Sequence, residues 1–289
     1  MLILEIGNRI YCPKFFNFSA GELHTNLSFI DSIPDNSLVR LKTLIKSSDD
    51  LMKLMLVNNA LINMNPTLQR VLELKYMPYS RQDRVCAPGD PYSLKVMCDI
   101  LHTGEFNRIN VDDLHSTDAY TYLDNLFQKE QYNLIGDLFP VLRYRILGLL
   151  EGGLCFVSPD KGARGKVIKS VEELGLQDTC PVICLNKVRD TTNGNITRLE
   201  LSDKLDAAYL RGNQVIITDD ICDGGKTFIE AAKLLKECGA TKVILYITHG
   251  IFSKGFEELD KYIDEYYVYN YIGNGPIKSA KPLTVATNK

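Results

Sequence analysis

Short apolar, β-branched runs alternate with helical stretches along most of the 289-residue chain, and this alternation limits the fold more than any other feature. MLILEI and VRLKTLI (39–45) read as strands, and Asp49 or Asp50 is expected to cap a helix through LMKLMLVNNALI. VLELKYMP (71–78) reads as a strand, SLKVMCDILHTG (93–104) as a helix stopped by Gly104, and RINVDDLH (108–115) as a strand with a polar end. After PVLRYRILGLLEGG (140–153) the pattern restarts: LCFVSPD, a helix near 163–174, PVICLNKV, ITRLEL, VIITDD, a helix, KVILYITHG, another helix, EYYVYN. In the helix after VIITDD, Phe228, Ala231, Ala232, Leu235 and Cys238 form one apolar stripe, and Gly239 stops it. Such alternation builds mostly parallel sheets covered by helices on both faces. Because it occurs twice, the chain is expected to be α/β with two similar halves, 1–138 and 139–289. GNGPIKSAKPLTVATNK is expected to form a loosely ordered tail.

Composition narrows the class. The net charge is −3, from 33 Lys plus Arg against 36 Asp plus Glu, which argues against a nucleic-acid partner. No apolar run reaches the ~20 residues of a membrane span. The start MLILEIGNRIYCPKFF has neither a basic n-region nor a small-residue cleavage site, so a cytoplasmic protein is expected. Eight cysteines are scattered without paired C-x-x-C knuckles and away from the four histidines, which speaks against zinc. Several lie inside apolar runs, such as Cys155 and Cys184, where a thiol packs as a small core residue.

Ligands of open α/β sheets bind beyond the carboxyl ends of the strands, and there the polar clusters of this sequence fall. In VIITDDICDGGKTF (215–228), an apolar run leads into Asp219 and Asp220, and then Asp223, Gly224, Gly225, Lys226 and Thr227 open a helix. Glycines let backbone N–H groups turn inward, and the helix N-terminus favours negative charge, so the turn suits a phosphate. Two adjacent carboxylates would repel that phosphate on contact; set back from it, they suit sugar hydroxyls or a cation.

This string resembles the 5-phosphoribosyl 1-diphosphate motif shared by type I phosphoribosyltransferases and ribose-phosphate diphosphokinases. The resemblance implies two tandem phosphoribosyltransferase-type domains. It puts Asp219 and Asp220 against ribose hydroxyls and wraps Asp223, Gly224, Gly225, Lys226 and Thr227 around the 5-phosphate. Further strings favour the diphosphokinases. PYSRQDRVCAPGDPYSLK (78–95) is similar to their P-Y-x-R-Q-D-R segment, which assigns Arg81, Gln82 and Asp83 to ATP. VDDLHS (111–116) resembles V-D-L-H-S, which assigns His115 to Mg²⁺ and ATP, and VSPDKGARGK (157–166) resembles a diphosphate loop in which Asp160 holds metal. LNKVRD (185–190) resembles the K-x-R segment that clamps the transferred group, which makes Lys187 and Arg189 the catalytic cations. FSAGE (18–22) resembles the adenine-contacting F-S-D-G-E, with Phe18 and Glu22 kept, and THGIFS (248–253) is a recurring family string. Taken singly, Lys187 and Arg189 are solvated charges and His115 a structural histidine; the strings carry weight because they occur in family order.

The implied reaction moves the β,γ-diphosphoryl group of ATP onto the anomeric hydroxyl of ribose 5-phosphate, with Mg²⁺ and basic side chains offsetting repulsion between anions. The implied partners are ATP and a phosphorylated ribose, in a homo-oligomer whose active site lies near a subunit interface. Four departures stand out. Ala20 replaces an acidic adenine acceptor. Gly224, Gly225 and Lys226 replace the T-x-G of the D-T-x-G-T phosphate turn. Lys161 and Ala163 alter the diphosphate loop. The usual closing helix does not follow YVYNYIGNG, so the family's hexameric and allosteric behaviour is not carried over. The open, lysine-bearing turn admits an alternative acceptor, ADP-ribose. A phosphoribosyltransferase and a non-catalytic regulatory homologue are the further alternatives. The first has no need of R-Q-D-R and K-x-R, and the second has no need of the catalytic cations.

Overall fold

The computed structural model describes residues 1–138, 153–189, 196–203 and 206–286, with the backbone alone at 187–189 and 196–198. Two compact units divide between Lys129 and Glu130, whereas the sequence pattern sets the boundary at 138. PVLRYRILGLLEGG lies outside the described residues except for its last glycine.

The first unit holds a six-stranded sheet built from β1 (Ile3–Ile6), β2 (Arg9–Tyr11), β5 (Leu38–Thr43), β6 (Gln69–Leu74), β7 (Arg108–Asp112) and β8 (Leu126–Lys129). The order is β2-β1-β5-β6-β7-β8. β5 to β8 run parallel, while β1 is antiparallel to both its neighbours. Helices α1 (Ser48–Met64) and α2 (Ser93–His102) bury Leu54, Val57, Leu61 and Leu94, Met97, Leu101 against the sheet's Leu41, Leu72 and Val111. The cap of α1 is Ser47, not Asp49 or Asp50: its hydroxyl accepts from the Asp50 N–H at 3.1 Å. Asp50 reaches back past the cap, its carboxylate accepting from the Lys46 N–H at 3.0 Å. Gly104 follows α2, yet the left-handed residue there is Glu105, at φ 49°. Gly104 is small for a different reason: a Cβ would run into the Phe106 ring.

A separate two-stranded hairpin pairs β3 (Phe15–Asn17) with β4 (Leu23–Thr25), and FSAGE is its turn.

The second unit has helical residues 131–138 (α3), followed by β9 (Leu154–Ser158), α4 (Arg164–Glu173), β10 (Val182–Arg189) and β11 (Ile196–Leu201). Then come α5 (Asp206–Leu210), β12 (Gln214–Cys222), α6 (Lys226–Glu237), β13 (Lys242–Gly250) and β14 (Glu265–Tyr271). Between β13 and β14 only a three-residue 3₁₀ turn, Leu259–Lys261, forms where a helix was expected. The expected loose tail instead contributes β15 (Leu283–Val285), parallel to β14. It is held by Asp260, whose carboxylate accepts from the Ala280 N–H at 2.8 Å and the Ser279 hydroxyl at 2.7 Å.

The seven strands order as β11-β10-β9-β12-β13-β14-β15. Alternate residues of the central strands face opposite layers. Val157, Ile217 and Leu245 pack with the α6 stripe of Phe228, Ala231, Ala232 and Leu235. Phe156, Ile216 and Tyr246 pack with Val167 and Val171 of α4 and Ile135 of α3. After β9 the chain moves outward to β10, and after β12 it moves the opposite way to β13, so the order reverses between β9 and β12.

Candidate functional site

A reversal of strand order leaves a crevice, because the connections after the two strands depart to opposite faces. The polar clusters after β9 and β12 flank that crevice in the second unit. After β9, the Asp160 carboxylate accepts from the Ala163 N–H at 3.1 Å, and the Ser158 hydroxyl donates to the Asp160 carbonyl at 2.5 Å, fixing the loop into α4. After β12, Gly225 sits at φ 77° as the N-terminal cap of α6, where a Cβ would lie 3.0 Å from both Leu259 methyls. A tight left-handed turn against a packed leucine explains the glycine.

Both helices start against the ordinary electrostatic rule. Neither has a side-chain cap hydrogen bond or an acidic residue in its first turn. Arg164 and Lys166 open α4, and Lys226 opens α6. Cations at a helix N-terminus oppose its dipole, so the helices themselves do not account for these residues.

The carboxylates sit behind these turns. Asp220 is buried, and its carboxylate lies 3.9 Å from Nζ of Lys166. The Asp219 carboxylate accepts from the Asp220 N–H at 3.0 Å. Burial first, then the charges of Asp220 and Asp160, hold the Asp219 carboxyl well above the usual carboxylate range. Such mutual repulsion is what a divalent cation relieves. Among the described residues no three His, Cys, Asp or Glu side chains gather into a metal cage. Mg²⁺ does not require one, since it binds through one or two carboxylates and fills its octahedron with water and phosphate oxygens. The oxygen donors here fit that ion.

Asp223 closes the turn on its outer side. Its carboxylate accepts from the Ser253 hydroxyl at 2.6 Å and its carbonyl from the Ser253 N–H at 3.1 Å. Beyond Cys184, where β10 leaves β9, the strand continues as a two-stranded antiparallel arm with β11. Lys187 and Arg189 lie on this arm, opposite Leu199 and Ile196, with a register shift between Val188 and Arg189.

The remaining sequence candidates belong to the first unit. Arg81, Gln82 and Asp83 lie in the connection after β6, and His115 lies just past β7, so both groups follow neighbouring parallel strands at one edge of the sheet. Two strained residues shape that edge: Tyr79 at φ 60° and the buried Asp113 at φ 36°. Gln82 is held through its backbone, donating to the Tyr79 carbonyl at 2.8 Å and accepting from the Leu94 N–H at 3.2 Å. On the hairpin, Phe18 is 53% exposed and Phe16 51%. The Phe16, Phe18 and His24 rings form a cluster with centroids 5.2 to 5.4 Å apart. Glu22 is exposed beside it.

Asp160 and the 219–227 turn thus meet around one crevice, whereas Phe18, Glu22, Arg81, Gln82, Asp83 and His115 occupy the other unit. Sequence reasoning missed Lys166, Ser253 and His24. For Lys166 a signal existed: a helix start with cations and no acid. Ser253 lay within a noted string, but only the fold brings it to Asp223. His24 joins Phe18 through hairpin register, Phe16 opposite His24, which no local pattern shows.

Comparison with known proteins agrees with this architecture. Residues 146–276 match the phosphoribosyl transferase domain family. A ribose-phosphate pyrophosphokinase of Pyrococcus furiosus is 30% identical over 240 residues, covering 82% of this chain and 79% of the relative. One from Wolinella succinogenes is 28% identical over 279 residues, covering 93% and 82%. The crystal structure of phosphoribosylpyrophosphate synthetase from Mycobacterium smegmatis superposes with a TM-score of 0.72 at 24% identity, covering 95% of this chain and 85% of that one, and shares its fold.

Proposed function

Because the chain belongs to the ribose-phosphate pyrophosphokinase family, we propose that it transfers the β,γ-diphosphoryl group of ATP to the 1-hydroxyl of ribose 5-phosphate, forming 5-phosphoribosyl 1-diphosphate and AMP. The observation that carries this reading is the pair of uncapped, cation-bearing helix starts on either side of one strand-order reversal. Two anion seats about a crevice backed by carboxylates suit a phosphorylated sugar and a diphosphoryl group.

On this reading the turn from Asp223 to Thr227 holds the 5-phosphate on backbone N–H groups and Lys226. Asp219 and Asp220 accept from the ribose hydroxyls and aim the 1-hydroxyl at the β-phosphorus. Lys166 lies beside the Asp220 carboxylate and orients it. Lys187 and Arg189 meet the charge that develops on the moving diphosphoryl group. Arg81, Gln82 and Asp83 position ATP, with His115, and Phe18 and Glu22 contact adenine. His115 would hold Mg²⁺ beside ATP in the first unit and Asp160 would hold metal beside the diphosphate in the second, and Mg²⁺ when bound neutralises phosphate charge. The exposed Phe16–Phe18 pair supports a homo-oligomer in which the hairpin serves a neighbouring copy. The acceptor hydroxyl needs no strong base, because positioning and charge dominate such transfers.

A second acceptor, ADP-ribose, is favoured by one observation: Gly224 leaves the turn without a side chain, and a Cβ there would touch only the Lys254 stem. The test is to incubate the protein with ATP, Mg²⁺ and each sugar separately and to resolve products by ³¹P NMR and mass. AMP with ribose 5-phosphate carrying a new 1-diphosphate supports the main reading. AMP only with ADP-ribose transfers the same chemistry to that acceptor, and no AMP with either refutes both.

A further inference from the structure

Loop 251–254 after β13 is tied unusually tightly to the phosphate turn. The Ile251 and Phe252 N–H groups both donate to the Cys222 carbonyl, at 2.8 and 3.2 Å. Ser253 then donates to Asp223 through both its N–H and its hydroxyl. Phe252 is a buried non-glycine residue at φ 47°, a conformation that costs a bulky side chain energy and persists only where the surroundings enforce it. The enforcement is visible: Phe252 stacks on Phe256 at 4.3 Å and meets Tyr266 edge-on at 6.5 Å. A strained, anchored loop fixes what its next residue does, and that residue is Lys254.

The stem of Lys254 lies beside Gly224. A Cβ built on Gly224 would lie 3.6 Å from both Cδ and Cε of Lys254 and 3.9 Å from Cγ. The methylenes therefore run alongside position 224 at ordinary van der Waals distance, next to the turn. That ammonium is exposed and has no ion-pair partner among the described residues. Asp223, the nearest acid in sequence to the turn, has one carboxylate oxygen taken by Ser253.

We propose that Lys254 is a binding and specificity residue of the sugar-phosphate seat, reaching the phosphoryl group at the 5-end of the pentose. This rests on the reading of residues 223–227 as that seat. Gly224 and Lys254 act as a pair: the lysine stem packs beside a position that carries no side chain, and the ammonium supplies a donor a hydroxyl there would otherwise give. Two sources share the recognised chemistry, a terminal 5-phosphate and the 5-diphosphate of ADP-ribose.

The test is calorimetric titration of the full chain with ribose 5-phosphate and, separately, ADP-ribose, at fixed Mg²⁺ and without ATP. Wild type, Lys254→Met, which keeps the stem and loses the charge, and Lys254→Arg are compared. For whichever sugar binds wild type, Lys254→Met is expected to raise Kd on the order of 10-fold and steady-state KM alike, while Lys254→Arg restores most of the affinity. Kd for ATP alone should stay unchanged. Wild-type binding with an unaltered Kd in Lys254→Met overturns the proposal and leaves the seat intact. Failure of wild type to bind either sugar overturns the seat and the proposal together.

Discussion

Adjacent glycines in the turn after β12 make opposite predictions. Gly225 lies at φ 77°, and its Cβ would sit 3.0 Å from both methyls of the buried Leu259. Gly225→Ala adds a left-handed penalty of ~1–2 kcal/mol and an overpacking penalty of ~1–2 kcal/mol against a leucine held in a core. Together these give a loss of roughly 2–4 kcal/mol, a fall in the urea midpoint of the second unit of roughly 1 M. Because that backbone is the proposed floor of the sugar-phosphate seat, affinity for the sugar phosphate should fall with it. Gly224 has no positive φ, and its Cβ meets only methylenes at 3.6 Å, an ordinary van der Waals distance. Gly224→Ala should therefore change stability by less than ~0.5 kcal/mol and leave the midpoint nearly unmoved. Urea titrations followed by far-ultraviolet circular dichroism, run side by side, read both. Equal effects at the two positions, or an unchanged midpoint in Gly225→Ala, would refute this account of the turn.

Other expected outcomes concern charges. Asp219 carries its proton to higher pH when folded than when unfolded, so the ligand-free protein should become more stable as pH falls from its raised value toward the ordinary carboxylate value. Asp219→Asn should remove that slope, raise stability at neutral pH and abolish turnover; an undiminished slope in thermal melts across pH contradicts the assignment. Lys187→Ala should lower kcat by about 100-fold or more while leaving ribose-phosphate binding nearly unchanged, read from steady-state kinetics and calorimetry. In the first unit, buried Arg70 donates to Asn58 at 2.8 Å, the Gly104 carbonyl at 3.0 Å and the Glu105 carbonyl at 2.8 Å. Arg70→Ala should cost ~3–5 kcal/mol by urea denaturation, since it strands buried acceptors.

Much of the second unit was legible because its signals are local and redundant. The apolar run of β12, the Gly-Gly turn and the stripe of α6 specify one another within a single stretch of sequence. What escaped was set by distant partners. β15 is ordered by Asp260 and by pairing with β14, neither of which its own residues announce. β2, β3 and β4 have three residues each, too few for a periodic pattern to emerge. Two aspartates beside Ser47 offer equally good caps in the sequence, and only the structure shows that the serine caps α1 while Asp50 holds the Lys46 N–H. At the site, the strand-end clusters were readable, while Ser253 on Asp223, Lys166 beside Asp220 and Lys254 alongside Gly224 are products of topology. The reversal of strand order between β9 and β12 creates that neighbourhood, and a string of residues does not display it.

The central claim is that the turn after β12 seats a phosphorylated pentose. A crystal grown with ribose 5-phosphate, Mg²⁺ and a non-hydrolysable ATP analogue tests it most directly. The account predicts the 5-phosphate on the N–H groups of residues 223–227, with the sugar hydroxyls on Asp219 and Asp220. A sugar phosphate bound elsewhere, with that turn holding only water, would contradict it.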